Sequence, residues 1–250
     1  MSGHSKWSSI KHKKAATDAK RGQLFTKLAR EITMAAKQGD ADPDMNAALR
    51  LAIQRARDNN MPNDNIGRAL KRGTGGGDAD RLEEIAYEGY GPGGTAIIVE
   101  AVTDNRNRTV AEVRLAFTRG GGSLAETGAV SWQFVRSAYF VVPTHSSDPD
   151  AVFEAAVEAG AEDVVLGEED IEIVAPVETY KTISDALEAL GAEVADASLR
   201  MIPSSVVSLP PEESLQVMRM MEHLEDLEDV QTVFSNLDVT EEAVALLELA

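Results

Sequence analysis

Cysteine is absent from the 250 residues, so neither a disulfide nor a thiolate metal site can be built. Histidine is scarce: His4, His12, His145 and His223 form no HExxH and no closely spaced pair, so no zinc template remains. No apolar run approaches the ~20 residues of a membrane span. An apolar leader segment is also missing from the charged N-terminus, so the expectation is a soluble, cytoplasmic protein with no membrane partner. Nucleotide chemistry lacks its usual marks. There is no Walker A sequence. Gly89-Tyr90-Gly91-Pro92-Gly93-Gly94 fits G-x-G-x-x-G only formally, because a strand follows where a dinucleotide site needs a helix N-terminus. Ser8, Ser9 and Ser123 have no companion base at a recognisable spacing, and no pair of carboxylates has a defined role. No catalytic residue, metal site, cofactor or small-molecule substrate is expected, and the chain is read as a non-enzyme.

Basic residues are also few, and unevenly placed. The chain holds 24 Lys+Arg against 42 Asp+Glu, a net charge of -18. Residues 1–73 nevertheless contain 15 basic and 7 acidic residues, a net of +8, which leaves -26 for the remainder. In residues 137–250 the count is 3 basic to 26 acidic. A basic arm on an acidic body points to a polyanion partner, although a lysine run by itself would more often be a solvated tail. Aromatic residues are only 5% of the chain, which makes Trp7 among Lys6, Lys11, His12, Lys13, Lys14, Lys20 and Arg21 a notable placement. A stacking ring there stands beside phosphate-neutralising charges.

Residues 1 to about 17 lack hydrophobic periodicity, and 1–20 are expected to be a mobile arm. A helix is predicted from Gln23 to Gly39. Leu24, Leu28, Ile32 and Ala35 lie on one face, with Gln23, Lys27, Arg30 and Lys37 on the other as available cations. A second helix is predicted with Asp42 as N-cap and Pro43 in its first turn. Met45, Ala48, Leu49, Ala52, Ile53 and Ala56 make its core stripe. Asn46, Arg50, Gln54 and Arg57 make a second stripe, of residue types that touch phosphates or base edges. A plain solvated face accounts for that stripe equally well. After Met61-Pro62 a third helix turns Ile66 and Leu70 inward and Arg68, Lys71 and Arg72 outward. Gly75-Gly76-Gly77 reads as a linker, giving a helical domain over 21–75.

The period then changes. Ala96–Val102 is a strand, a helix begins at Thr109 with Val110, Val113, Leu115 and Phe117, and Val130–Val135 is the next strand. Residues 137–207 follow the order βαββαβ of a ferredoxin-like module. A helix carrying Val217, Met220, Met221, Leu224 and Leu227, then a strand at Val230–Asn236, would return to complete the sheet begun near residue 95. Met218, Met220 and Met221 are read as core packing. The expectation is an α+β multi-domain protein: a three-helix N-terminal domain, then an α+β domain from 80–136 plus 208–250, with 137–207 inserted into it. A monomer is expected.

Gly3-His4-Ser5-Lys6-Trp7 and Ile10-Lys11-His12-Lys13-Lys14 resemble the start of the YebC/PmpR family. Tyr87-Glu88-Gly89-Tyr90-Gly91-Pro92-Gly93-Gly94 and Asp104-Asn105-Arg106-Asn107-Arg108-Thr109 resemble its later motifs in order and spacing. The resemblance covers the whole chain. It implies three domains around a cleft, two of them α+β with one inserted into the other. It also implies a regulator that contacts nucleic acid. The family's usual label is DNA-binding transcriptional regulator. Its relation to the mitochondrial translational activator of cytochrome c oxidase subunit I, and to members that relieve ribosome stalling on proline-rich stretches, implies rRNA or the ribosome instead. The candidate nucleic-acid-binding residues, chosen on charge and helix geometry, are Lys6, Trp7, Lys11, His12, Lys13, Lys14, Lys20, Arg21, Lys27, Arg30, Arg50, Gln54 and Arg57. The acidic body would be repelled by a long duplex, which favours the ribosome over DNA.

Overall fold

The computed structural model describes residues 18–75 and 81–248. The first unit is three helices: α1 (Asp18–Gln38), α2 (Ala47–Asp58) and α3 (Asn63–Thr74). Leu28, Ile32 and Ala36 of α1 pack on Leu49, Ala52, Ile53 and Ala56 of α2, and on Ile66 and Ala69 of α3. Such a stripe at three- and four-residue steps is what a helix needs to bury one face. Helix α1 starts five residues before Gln23, in a polar turn that apolar periodicity does not mark. The start of α2 also differs from expectation. Asn46, not Asp42, is the N-cap: its side chain accepts from the Leu49 amide at 3.1 Å. Its Nδ2 donates to the carbonyls of Ala35 and Asp40, both at 2.8 Å, so Asn46 ties α2 to the end of α1 and leaves the outward stripe. Met45 and Ala48 are exposed, which narrows the core stripe to Leu49, Ala52, Ile53 and Ala56.

The rest of the chain builds two antiparallel sheets. It runs β1 (Glu83–Tyr90), β2 (Ala96–Thr103), α4 (Arg106–Arg119), β3 (Ser123–Leu124), β4 (Phe134–Pro143), α5 (Pro149–Glu158), β5 (Asp163–Leu166), β6 (Asp170–Pro176), α6 (Tyr180–Leu190), β7 (Asp196–Pro203), α7 (Pro211–Glu225), β8 (Val230–Ser235) and α8 (Glu241–Glu248). The first sheet has the order β3-β1-β2-β8 and the second β5-β6-β4-β7. Strand β8 pairs with β2, Val99 opposite Val233, after the whole second sheet has been made from residues 134–203. The order β5-β6-β4-β7 with α5 and α6 on one face is the ferredoxin-like arrangement.

Two local expectations fail. Ser131–Gln133 is a 3-10 turn, and one strand of ten residues, β4, runs from Phe134 to Pro143. It belongs wholly to the second sheet, so Val130–Val135 is not a strand of the first. Strand β1 has no counterpart in the sequence reading. Its Glu83-Glu84-Ile85-Ala86 start is too polar to announce it, and Gly89 and Tyr90 look like part of the glycine turn. Gly89 is needed inside this strand, because a Cβ there would sit 2.5 Å from the Phe117 ring. The turn itself is Pro92–Gly94, with Gly93 at φ 64.

One face of the first sheet buries Ile97, Val99 and Ala101 under Val113 and Phe117 of α4 and Val217, Met220, Met221 and Leu224 of α7. The methionines are core. Among the described residues, the opposite face is covered at its ends. Val130, Phe134 and Phe234 close over Ala96 and Ile98 at one end, and Met34 of α1 with Leu82 covers Val102 at the other. Between them lie Ala86, Glu100 and Thr232 in register, with Ala86 exposed and Glu100 half-buried. Met34 of the helical unit stands at one end of this strip and Phe134, at the root of β4, at the other. Arg136 reaches Glu100 within it at 3.5 Å.

Candidate nucleic-acid interface

The candidate cations divide by what their heads touch. Lys6, Trp7, Lys11, His12, Lys13 and Lys14 lie outside the described residues. Lys20 falls within α1, but its side chain is outside them too. The remaining candidates fall into two sets on two faces of the helical unit.

The first set is on α1, where Lys27, Arg30, Met34 and Lys37 follow one another at three- and four-residue steps. That face was expected to offer free cations. It instead docks on the first α+β unit. Lys27 Nζ donates to the carbonyl of Glu225, and Lys37 Nζ to that of Leu82 at 3.1 Å. Arg30 donates to the Glu228 carbonyl, and its Nη2 lies 3.0 Å from Glu228 Oε1 and 3.2 Å from Asp229 Oδ1. Asp229 is 1% exposed and collects further donors. Arg108 Nη2 lies 2.8 Å from its Oδ2, where the hydroxyls of Thr103 at 3.0 Å and Thr109 at 2.7 Å also donate. Burial by itself would raise the Asp229 pKa. The hydrogen bonds from Arg108, Thr109 and Thr103 and the charge of Arg30 outweigh it and hold the carboxyl below its usual range. The Asp104–Thr109 motif therefore has a structural role: Asn105 caps α4, and Arg108 and Thr109 bind the residue that receives α1. Breaking such a buried, multiply bonded carboxylate costs about 3–5 kcal/mol.

The second set is solvent-facing. Arg21, Arg50, Arg57, Arg68, Lys71 and Arg72 are exposed. Among the described residues, Arg50 Nη1 touches the carbonyls of Pro43 at 3.2 Å and Asp44 at 3.5 Å and no carboxylate at hydrogen-bond range. Gln54 is exposed, but its Nε2 donates to Asp58 Oδ1 at 2.8 Å on the next turn. Asp40, Asp42 and Asp44 stand exposed just before α2, and Asp58 ends it, so acid brackets the Arg50–Arg57 stripe at both ends.

Arg55 is not among the residues expected to meet nucleic acid. It pairs with Glu31 of α1 at 2.8 Å and stays part-exposed. Glu31 chiefly, with Asp196 and Tyr180 of the ferredoxin-like unit, raises the guanidinium pKa despite burial. The Tyr180 phenol is pushed up by burial and by Asp196, and the charge of Arg55 acts against that rise. Arg55 thus lies where the helical unit approaches the ferredoxin-like unit. No local signal in the sequence distinguishes it from Arg50 or Arg57. Among the described residues, no group of His, Asp and Glu is arranged to hold a metal ion, and no helix is long and apolar enough to cross a membrane.

A family model described as the TACO1/YebC protein N-terminal domain matches residues 5–76, and one described as the TACO1/YebC second and third domain matches residues 82–237. The chain belongs to the TACO1/YebC family. The break between the two models falls where the glycine run separates α3 from β1. Curated relatives in the family are similar over nearly their whole length. One from Geotalea uraniireducens is 51% identical over 97% of this chain and 98% of its own, and one from Dehalococcoides mccartyi is 52% identical over 98% and 97%. A third, from Enterococcus faecalis, is 49% identical over 95% and 99%. Each is named a probable transcriptional regulatory protein. A crystal structure of a conserved hypothetical protein from Aquifex aeolicus matches with a TM-score of 0.85 at 44% identity, covering 93% of this chain and 96% of that one.

Proposed function

We propose that the protein is a non-enzymatic regulator of gene expression that binds nucleic acid through its helical unit and N-terminal arm, with structured RNA of the ribosome as the ligand. The observation that carries this reading is the second cation set. Arg21, Arg50, Arg57, Arg68, Lys71 and Arg72 are exposed on a unit of net positive charge, in a chain whose total is -18. Lysine and arginine heads displayed without carboxylate partners supply phosphate affinity. The relatives' naming as transcriptional regulators supports nucleic-acid contact in general.

RNA is preferred over duplex DNA on the details of α2. A helix that reads a major groove needs side chains free to reach base edges, and acid at its ends meets the phosphates unfavourably. Here Asn46 is buried, Gln54 is bonded to Asp58, and Asp40, Asp42 and Asp44 stand at one end. Isolated cations among acids suit scattered phosphates on an irregular RNA surface better than a regular groove. The DNA reading keeps one support, the relatives' names. The test is sedimentation of the purified protein with ribosomes. Co-sedimentation, reversed by nuclease, is the expected result. A protein that stays in the supernatant, but selects a defined duplex motif from a random pool, would replace this reading with the transcriptional one.

A further inference from the structure

The loop before β4 is shaped by one buried carboxylate. Glu88, 5% exposed, accepts hydrogen bonds from the amides of Gly128 at 2.8 Å, Val130 at 2.7 Å and Ser131 at 2.8 Å. Burial pushes its pKa up, but these bonds outweigh burial and hold it below the ordinary value, so the loop closes around a charge present at neutral pH. The carbonyl of Ala129, at the centre of that loop, then receives two ring donors: Tyr90 Oη at 2.9 Å and Trp132 Nε1 at 3.0 Å. Two aromatic side chains from separate elements are tethered by their polar ends to one oxygen. Both residues stay solvent-accessible, Trp132 at 75% and Tyr90 at 37% exposure.

A single exposed tryptophan is unremarkable on a protein surface. A tryptophan and a tyrosine fixed on a common anchor, by a loop that a buried charge organises, form a pre-organised π surface. The charge of its surroundings selects the occupant. Residues 81–136 carry six arginines against seven acidic residues, whereas 137–250 carry 3 basic residues against 26 acidic. Outside the helical unit, this is the stretch where a polyanion meets least repulsion, and Arg136 follows close after Trp132, at the start of β4, where it pairs with Glu100.

We infer that Tyr90 and Trp132 are a stacking platform for an unpaired nucleobase, a second nucleic-acid contact on a unit separate from the cationic helices. The inference rests on the nucleic-acid reading above. It adds that single-stranded RNA is held by its bases as well as its phosphates. Base–aromatic stacking is tolerant of sequence and strengthens binding by about five- to a hundredfold per base. Removing a ring should weaken binding without altering the salt dependence, because no phosphate contact is lost.

The experiment uses the full chain labelled with 5-fluorotryptophan. The chain has two tryptophans, so two fluorine resonances are expected, and Trp132→Phe assigns them. The probes are a short single-stranded RNA of mixed sequence and an abasic strand of the same length. The Trp132 resonance should move with the RNA and stay still with the abasic strand. Trp132→Ala should bind the RNA about tenfold more weakly at an unchanged salt slope, with Trp132→Phe recovering part of the loss. If the RNA binds tightly while the Trp132 resonance stays still and Trp132→Ala binds normally, the platform is overturned and the cationic reading survives. If neither strand binds, both fall. If the resonance moves as much with the abasic strand as with the RNA, the ring does not stack on a base and the inference is overturned.

Discussion

Two faces of one small helical unit carry cations at helical spacing, and they do different things. On α1, Lys27, Arg30 and Lys37 reach backbone carbonyls and carboxylates of the first α+β unit, and Arg30 meets the buried Asp229. On α2 and α3, Arg50, Arg57, Arg68, Lys71 and Arg72 point into solvent. In sequence the two stripes look alike. The difference is whether an acidic acceptor waits in the folded molecule, and for Arg30 the Glu228 carboxylate, next to Asp229, is 198 residues away. A basic stripe is therefore evidence for a nucleic-acid surface only after its internal partners have been counted.

The largest effect should come from removing the acceptor. Asp229→Ala leaves Arg30, Arg108 and two threonine hydroxyls without their shared partner, and should destabilise the fold by about 3–5 kcal/mol in urea unfolding. A loss under about 1 kcal/mol would mean that the α1 cations are not structural, and the contrast between the two faces would disappear.

Acid should reveal the same contacts. The Asp229 and Glu88 carboxyls are both held below their ordinary values in the fold. Each therefore contributes stability that is fully present above the unfolded pKa of about 4 and is lost as pH falls through the lower folded value. Stability measured from pH 6 downward should fall below about pH 4, and more gently for Asp229→Asn than for the wild type. Equal slopes for the two proteins would remove Asp229 from the account of docking.

Much of this was legible before the structure, in its coarse form. The apolar stripe Leu28/Ile32 with Leu49, Ala52, Ile53 and Ala56, the βαββαβ order after residue 137 and the core methionines follow from periodicity, because burial of a face imposes a period. What was not legible depends on contacts between distant segments. Asn46 has the residue type of a base reader and the position of an N-cap, and only its approach to Ala35 and Asp40 decides between them. The Val130–Val135 run is β-rich, yet it is a turn and the root of a strand in the other sheet, which alternation cannot tell. The Asp104–Thr109 motif reads as a helix start, and its acceptor lies beyond the inserted unit.

Smaller effects should appear in binding. Arg50→Ala and Arg57→Ala should each weaken RNA affinity on all sequences alike and each reduce the log–log salt slope by about 0.7. A change confined to one sequence would mean base reading by α2. Gln54→Ala, whose amide is already bonded to Asp58, should change neither affinity nor preference in a parallel site selection. A blurred DNA motif in that selection would restore α2 as a groove-reading helix.

The two faces can be compared in one measurement: the salt dependence of RNA affinity for two double variants, each checked for folding by circular dichroism. Arg50→Ala with Arg57→Ala removes exposed cations, and Lys27→Met with Arg30→Met removes docked ones. The expected result is a salt slope lowered by about 1.4 in the first and unchanged in the second. The opposite pattern, with the slope falling when Lys27 and Arg30 are removed and holding when Arg50 and Arg57 are removed, would place the nucleic acid on α1 and contradict the division of the two faces.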